Sequence, residues 1–356
     1  MSRSERTRSP GWGCMGTDPA PRGGSLSFDW VTPPFDVVRI GHIELVVTDL
    51  AAAREFYVDM LGLVPTAEAS DAIYLRGYEE RLHHSLVLRV GPEPLVDHIA
   101  YRVRGPSDLD AIDTFYEALG CPVSRVEGVE LGQGPAIRVH DPLGFPIEFF
   151  HEMAQADCLL QRYDLYRGAR ITRADHVNLY VPDVTDGYEL YRRLGFRCSE
   201  YIADDRDDRP VAVWLYRKQT VHDVALTTGH GPRLHHFAFT TGETAAITGL
   251  CDVLAGLRRE SVIERGPGRH GVSNAFFVYL RDPDGHRIEL YTGDYYTGDP
   301  DHKPLRWSAT DARRRTFWGH HVPDSWYEEG TLVRAPGGGT ADLLEPVLDE
   351  RLVATE

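Results

Sequence analysis

The chain has 356 residues, 42% hydrophobic and 26% charged, which is ordinary globular usage and enough for two domains or one large one. Its formal charge of −16 lacks the basic footprint that duplex nucleic acid or an anionic bilayer requires, and no apolar run reaches the ~18 residues of a membrane span. Sixteen histidines against four methionines is the unusual count, because histidine is the commonest metal ligand and the usual acid–base group near neutral pH.

Residues 1–35 are rich in Arg, Ser, Gly and Pro, lack the apolar core of a signal peptide, and read as a mobile tail. Four similar segments follow. The first runs from Arg39-Ile-Gly-His42-Ile-Glu-Leu-Val-Val through Asp49 to Leu61-Gly62. The second runs from Val96-Asp97-His98 to Leu119-Gly120. The third runs from Ala174-Asp175-His176-Val-Asn178 to Leu194-Gly195, and the fourth from Leu234-His235-His236 to Leu257. Each opens with period-two strand character and continues into a helical pattern of roughly 12 residues. Three stop at Leu-Gly, a helix C-terminal signal.

The second and fourth segments end alike. Asp141-Pro-Leu-Gly144-Phe-Pro-Ile-Glu148 matches Asp282-Pro-Asp-Gly285-His-Arg-Ile-Glu289, and Asp-Pro-x-Gly suits the turn of a hairpin. The fold class is therefore α+β, with four βαβββ modules forming two tandem domains. The expected boundaries are 36–153 and 170–295, separated by a polar stretch. An extension over 296–356 follows, its end loosely held from about Arg334 by Gly337-Gly338-Gly339. The five cysteines (Cys14, Cys121, Cys158, Cys198 and Cys251) are odd in number and contain no C-x-x-C pair, which argues for a reducing cytoplasm.

His176 and Asn178 alternate on one strand and so share a face. His236 opens the matching strand of the next module, and Glu289 ends the last hairpin. Two imidazoles and one carboxylate from three strands make a facial triad, which leaves the other face of an octahedral metal open. A structural zinc site would instead close its shell with four protein ligands. Singly these are weak signals: a strand histidine is usually structural, and Glu289 alone is an ordinary strand carboxylate. Their matching module positions raise the weight of the triad. Glu289 also lies between apolar Ile288 and Leu290, where a charge needs a partner.

The modules resemble the vicinal-oxygen-chelate superfamily, which includes glyoxalase I and the type I extradiol ring-cleaving dioxygenases. The resemblance covers about 39–333. Tyr291-Thr-Gly-Asp-Tyr-Tyr, Arg306-Trp307 and the Phe317-Trp-Gly…Ser-Trp326-Tyr run resemble the members that open 3,4-dihydroxyphenylacetate. It implies Fe(II), or Mn(II), on His176, His236 and Glu289, and His222 as acid–base. It also implies that Tyr279, His270 and Asn178 act at the reacting oxygens, and that Trp214 walls the pocket. Arg265 and Arg314, with His270, would hold an acidic side chain, since arginine is the bidentate carboxylate clamp; which of Arg313, Arg314 and Arg315 points inward is open. The implied reaction takes a catechol and O2 to a hydroxymuconic semialdehyde, in a cytoplasmic homotetramer with no nucleic-acid or membrane partner. Alternatives are another catechol as substrate, or a non-catalytic binding protein of the same fold.

The first domain carries matching residues: His42 for His176, His98 for His236, Glu148 for Glu289 and His84 for His222. Glu44 replaces Asn178 and Arg138 replaces Tyr279. The expectation is a relic of duplication rather than a second metal centre. His302, His320 and His321 suggest no role.

Overall fold

The computed structural model describes residues 25–348; the rest of the predicted tail, with Cys14, and the last eight residues lie outside it. The first half builds β1 (Val37–Val47), β2 (Val64–Glu68), β3 (Ala72–Arg76), β4 (Leu86–Val90), β5 (Leu95–Val103), β6 (Val123–Val126), β7 (Ala136–His140) and β8 (Pro146–Phe150). The second builds β9 (Ile171–Val181), β10 (Arg197–Ala203), β11 (Pro210–Tyr216), β12 (Val224–Thr228), β13 (Arg233–Thr241), β14 (Ile263–Arg269), β15 (Phe276–Arg281) and β16 (Arg287–Thr292). Read from one edge, the first sheet runs β6-β7-β8-β5-β1-β4-β3-β2 and the second β14-β15-β16-β13-β9-β12-β11-β10. The strand orders correspond one to one, as a duplicated fold requires.

Each module has its helix: α1 (Leu50–Arg54), α2 (Pro106–Ala118), α3 (Val184–Arg193) and α4 (Thr244–Gly256). α1 runs on as a π-helical turn over Glu55–Met60, so the first helix carries a wider coil than its counterparts. The Leu-Gly stops behave as expected: Gly62, Gly120 and Gly195 have φ of 86°, 75° and 85°. At the fourth helix Arg258 takes that left-handed place at φ 58°. The Asp-Pro-x-Gly turns also form, with Gly144 N–H donating to Asp141 O at 2.9 Å and Gly285 N–H to Asp282 O at 3.0 Å.

Period two sorts the central strands into two functions. Val177, Leu179 and Val181 of β9, Phe237 and Phe239 of β13, and Ile288 and Leu290 of β16 enter one apolar core under the helices. Burying each such side chain contributes about 1.5–3 kcal/mol. The alternate residues, His176, His236 and Glu289, face the concave side and are buried as well.

The domains are tied by reciprocal carboxylates. Glu80, buried in the first domain, accepts from Ala174 N–H of β9 at 3.3 Å. Asp223, buried in the second, accepts from Ile40 N–H of β1 at 3.1 Å. Ile40 and Ala174 each stand two residues before the first histidine of their domain. Both ties thus fix the strands on which those histidines sit. Residues ahead of β1, read as part of a mobile tail, also pack: Phe28 lies 5.1 Å from Tyr201, ring to ring, and Tyr188 Oη donates to Ser27 O at 2.7 Å.

Beyond β16 the chain lies along the concave side. β17 (Leu305–Ser308) pairs with β10, α5 (Ser325–Glu328) follows, and β18 (Thr331–Leu332) pairs with β13. The stretch after Arg334, expected to be loose, is hydrogen-bonded instead: Ala341 N–H to Val333 O, Leu344 N–H to Gly231 O and Val347 N–H to Pro182 O. The physical reason is that Gly338 and Gly339, at φ 89° and 71°, make a tight turn rather than slack chain.

α5 is anchored through Glu264 of β14. Its carboxylate accepts from Arg287 Nε at 2.6 Å, Arg281 Nη2 at 2.7 Å and Ser325 Oγ at 2.7 Å. Burial alone would raise the Glu264 pKa, but the two arginines outweigh it and hold it down at about 2. The charged form therefore stabilises the fold fully above the ordinary value of 4.5, and that contribution disappears as pH falls toward about 2. Glu264→Gln is expected to cost about 2 kcal/mol at pH 7 by urea unfolding, with the gap to the parent chain narrowing below pH ~4. A gap independent of pH would contradict this account of the anchor.

Candidate metal centre

Strand register brings the site together in two neighbouring rows. Across the first, Arg265 (β14) faces Tyr279 (β15), Tyr279 faces Glu289 (β16), Glu289 faces Ala238 (β13), and Ala238 faces His176 (β9). Across the second, His236 faces Asn178, Asn178 faces Ala225 (β12), and Ala225 faces Trp214 (β11). Ala238 is small, so Glu289 and His176 can lean over it toward His236.

They converge. Glu289 Oε2 lies 3.1 Å from His176 Nε2 and 3.1 Å from His236 Nε2, and the two imidazole nitrogens are 3.3 Å apart. Cis donors on one octahedral ion at ~2.1 Å stand roughly 3.0 Å from one another. The donor set therefore fits a divalent cation held by three protein atoms on one face. Asp175 Oδ2, 3.0 Å from His176 Nδ1, fixes which nitrogen of that ring faces the centre. Burial disfavours the Glu289 anion, yet the bonds from His176 and His236 hold its carboxyl well below the usual range.

One cavity is lined by all ten predicted residues: His176, Asn178, Trp214, His222, His236, Arg265, His270, Tyr279, Glu289 and Arg314. His222 lies just before β12 rather than within a strand, its ring centroid 3.8 Å from that of His176. Burial, with the charges of His176 and Lys218, lowers its imidazole pKa well below the usual range. His270 Nε2 and Tyr279 Oη are 3.0 Å apart, and His270 stacks on Phe277 at 3.8 Å. Asn178, on the cavity lining, accepts at Oδ1 from Thr227 Oγ1 at 3.1 Å.

Arg265 is 1% exposed. Its Nη2 donates to Arg315 O and Thr316 Oγ1, while Nε and Nη1 have no hydrogen-bond partner among the described residues. The aromatic rings of Trp326, 4.5 Å away, and Phe277, 4.8 Å away, flank it. The open question over the arginine run resolves. Arg314 is buried on the cavity, Arg315 also reaches it, and Arg313 turns outward to Asp311.

A family model, "Glyoxalase/Bleomycin resistance protein/Dioxygenase superfamily", matches 39–149 and 173–290. A manganese-dependent 2,3-dihydroxybiphenyl 1,2-dioxygenase from Geobacillus genomosp. 3 is 33% identical over 298 residues, which are 80% of this chain and 94% of that protein. The chain is an extradiol dioxygenase of that superfamily. Among solved structures, homoprotocatechuate 2,3-dioxygenase from Brevibacterium fuscum with 3,4-dihydroxyphenylacetate is 50% identical with a TM-score of 0.86, covering 88% of this chain and 98% of that one. The enzyme from Arthrobacter globiformis is 52% identical with the same TM-score, covering 88% and 97%.

Sequence reasoning gave no role to other residues on the dioxygenase cavity, among them Thr227, Ser273, Tyr291 and Trp326. Tyr291 was within reach, since it stands two residues after Glu289 on one strand and so shares its face. Ser273 gave no such signal: it sits at φ 59° in a short turn, held by Glu200 through its backbone N–H at 2.8 Å.

Because the three donors are already converged, a divalent ion should stabilise the folded chain strongly. At a free concentration of about a hundred times Kd, Mn(II) or Fe(II) is expected to add about 2.7 kcal/mol, read as a higher Tm. Glu289→Gln should remove most of that rise; an equal rise in the variant would place the ion elsewhere.

Proposed function

We propose that the chain opens the ring of a catechol bearing a carboxylate, 3,4-dihydroxyphenylacetate or a close relative, beside its two hydroxyls, using O2 and giving a hydroxymuconic semialdehyde. The observation that carries this is the row across β14–β9. It has Glu289 and His176 at one end, with His236 of the neighbouring row beside them, and, at Arg265, a buried guanidinium with two nitrogens unpartnered among the described residues at the other. A buried charge so incompletely bonded is costly, and a carboxylate is the partner whose geometry completes it.

His176, His236 and Glu289 would hold Fe(II) or Mn(II), both compatible with imidazole and carboxylate donors. Such an ion, when bound, acidifies and chelates the catechol and passes electron density from ring to dioxygen. His222, buried beside His176, takes a hydroxyl proton at a ring nitrogen and returns one when the oxygen–oxygen bond breaks. Tyr279 Oη, aligned by His270, donates to substrate or dioxygen-derived oxygen. The Asn178 NH2 orients the small ligand, and Trp214 walls the ring face. Arg265 and Arg314, with His270, hold the acidic arm, while Trp326 and Phe277 exclude water around Arg265.

We further infer a division of labour: 36–153 as a non-catalytic support, 170–295 as the catalytic domain, and the extension from 296 as its cover. A cytoplasmic homotetramer is the working form. Free Cys121, Cys158, Cys198 and Cys251 support the reducing compartment, and exposed Tyr296, Leu305, Phe317 and Trp318 support association. No helix among the described residues is long and apolar enough to cross a membrane.

The test is anaerobic loading with Fe(II) or Mn(II), then air and 3,4-dihydroxyphenylacetate, followed by the yellow ring-opened product. No product from any catechol would overturn the reading. Arg265→Ala should lower kcat/KM for the acidic catechol about tenfold to a hundredfold, matching a lost charged hydrogen bond, and leave plain catechol little changed. Equal losses on both substrates would remove Arg265 as the carboxylate partner.

A further inference from the structure

The first domain repeats the same row in the same register. Arg138 (β7) faces Glu148 (β8), Glu148 faces Ala100 (β5), and Ala100 faces His42 (β1). His98 lies across from Glu44, as His236 lies across from Asn178. His42, His98 and Glu148 are buried and their donor atoms converge. Asp97 Oδ2 accepts from His98 Nδ1 at 2.8 Å, a carboxylate behind a histidine just as Asp175 stands behind His176.

The two centres differ at the carboxylate. Glu289 presents one oxygen, Oε2, at 3.1 Å to both imidazoles. Glu148 stands back, 3.6 Å from His42 Nε2 through Oε1 and 3.8 Å from His98 Nε2 through Oε2. Both of its oxygens are already taken. Gln133 Nε2 donates to Oε1 at 2.7 Å and Arg138 Nε donates to Oε2 at 2.6 Å. Left without the carboxylate between them, His42 Nε2 and His98 Nε2 approach to 3.0 Å and share a hydrogen bond.

Arg138 is itself well fixed. Its Nη2 donates to Glu130 Oε1 at 2.9 Å, and Glu130 also faces Arg89, which pairs with Glu44 at 2.7 Å. At the matching place in the second domain stands Tyr279, which carries no charge. The first domain thus sets a guanidinium against its buried carboxylate where the second has a phenol. Two positive centres on one buried carboxylate would repel.

We propose that the first domain retains a latent divalent-metal site, His42–His98–Glu148, kept closed by Arg138, whose guanidinium holds the Glu148 oxygen that an ion would need. The ligand class is a divalent transition metal such as Mn(II), Co(II) or Zn(II). An ion bound there would be structural: Glu44, in the position of Asn178, and Arg89 fill the side on which the second domain has its cavity.

The experiment counts metal per chain after equilibration with excess Co(II) and desalting. The parent chain is expected to hold one ion and Arg138→Tyr, which copies the second domain, two. Adding Glu289→Gln to each separates this inference from the catalytic reading, since the counts should fall to zero and one. Adding Glu148→Gln to Arg138→Tyr should remove the second ion and leave turnover in place. Arg138→Met, neutral and similar in length, tests the same point should the tyrosine not fit. A parent chain that holds an ion in the Glu289→Gln background would overturn the proposal. So would folded Arg138→Tyr and Arg138→Met chains that hold none there.

Discussion

A carboxylate placed between Ile288 and Leu290, with 3% of its surface exposed, has to be compensated where it stands. Moving such an anion out of water costs several kcal/mol even after relaxation, and only nearby cations and hydrogen-bond donors recover it. Around Glu289 the recovery comes from His176 and His236 together, with His270 3.7 Å from the other oxygen. Much of the second domain can be read as what it takes to bring those groups to that point. The core residues of β9, β13 and β16 fix the strands, Ala238 clears the space between them, and Asp175 turns one ring.

The same constraint explains why duplication left two different outcomes. Both domains bury a glutamate at the end of the last hairpin, and both must neutralise it. The second does so with groups that leave one side open to a cavity, while the first fills that side with Arg138, Arg89 and their carboxylates. An open face is what a reaction needs, because catechol and dioxygen must both reach the centre. A filled one gives packing and a rigid partner for β9, through the bonds at Glu80 and Asp223.

The module order and the neighbourhood of His176, His236 and Glu289 were legible in the sequence because both rest on periodicity. A repeat with strands in fixed register must carry matched positions to matched places, so alignment of four short motifs was enough. Features set by local geometry were not legible. His222 lies in a turn, and its approach to His176 depends on how the β11–β12 connection folds back. Within the Arg313–Arg315 run the resemblance favoured Arg314 but sequence could not say which side chain points inward, and the 3-10 turn over Ala312–Arg314 decides which is buried. The glycine triplet near the end suggested slack, but composition does not distinguish a loose loop from a tight turn. That distinction comes from the hydrogen bonds of Ala341 and Leu344.

The central claim is that three side chains from one concave sheet hold a single ion and leave its outer face open. Anomalous diffraction at the manganese edge, from crystals of the Mn(II)-loaded chain, tests it most directly. The account predicts a peak contacted by His176, His236 and Glu289 and by no other protein atom, with the His222 ring alongside. A peak elsewhere, or one enclosed by a fourth protein ligand, would contradict it.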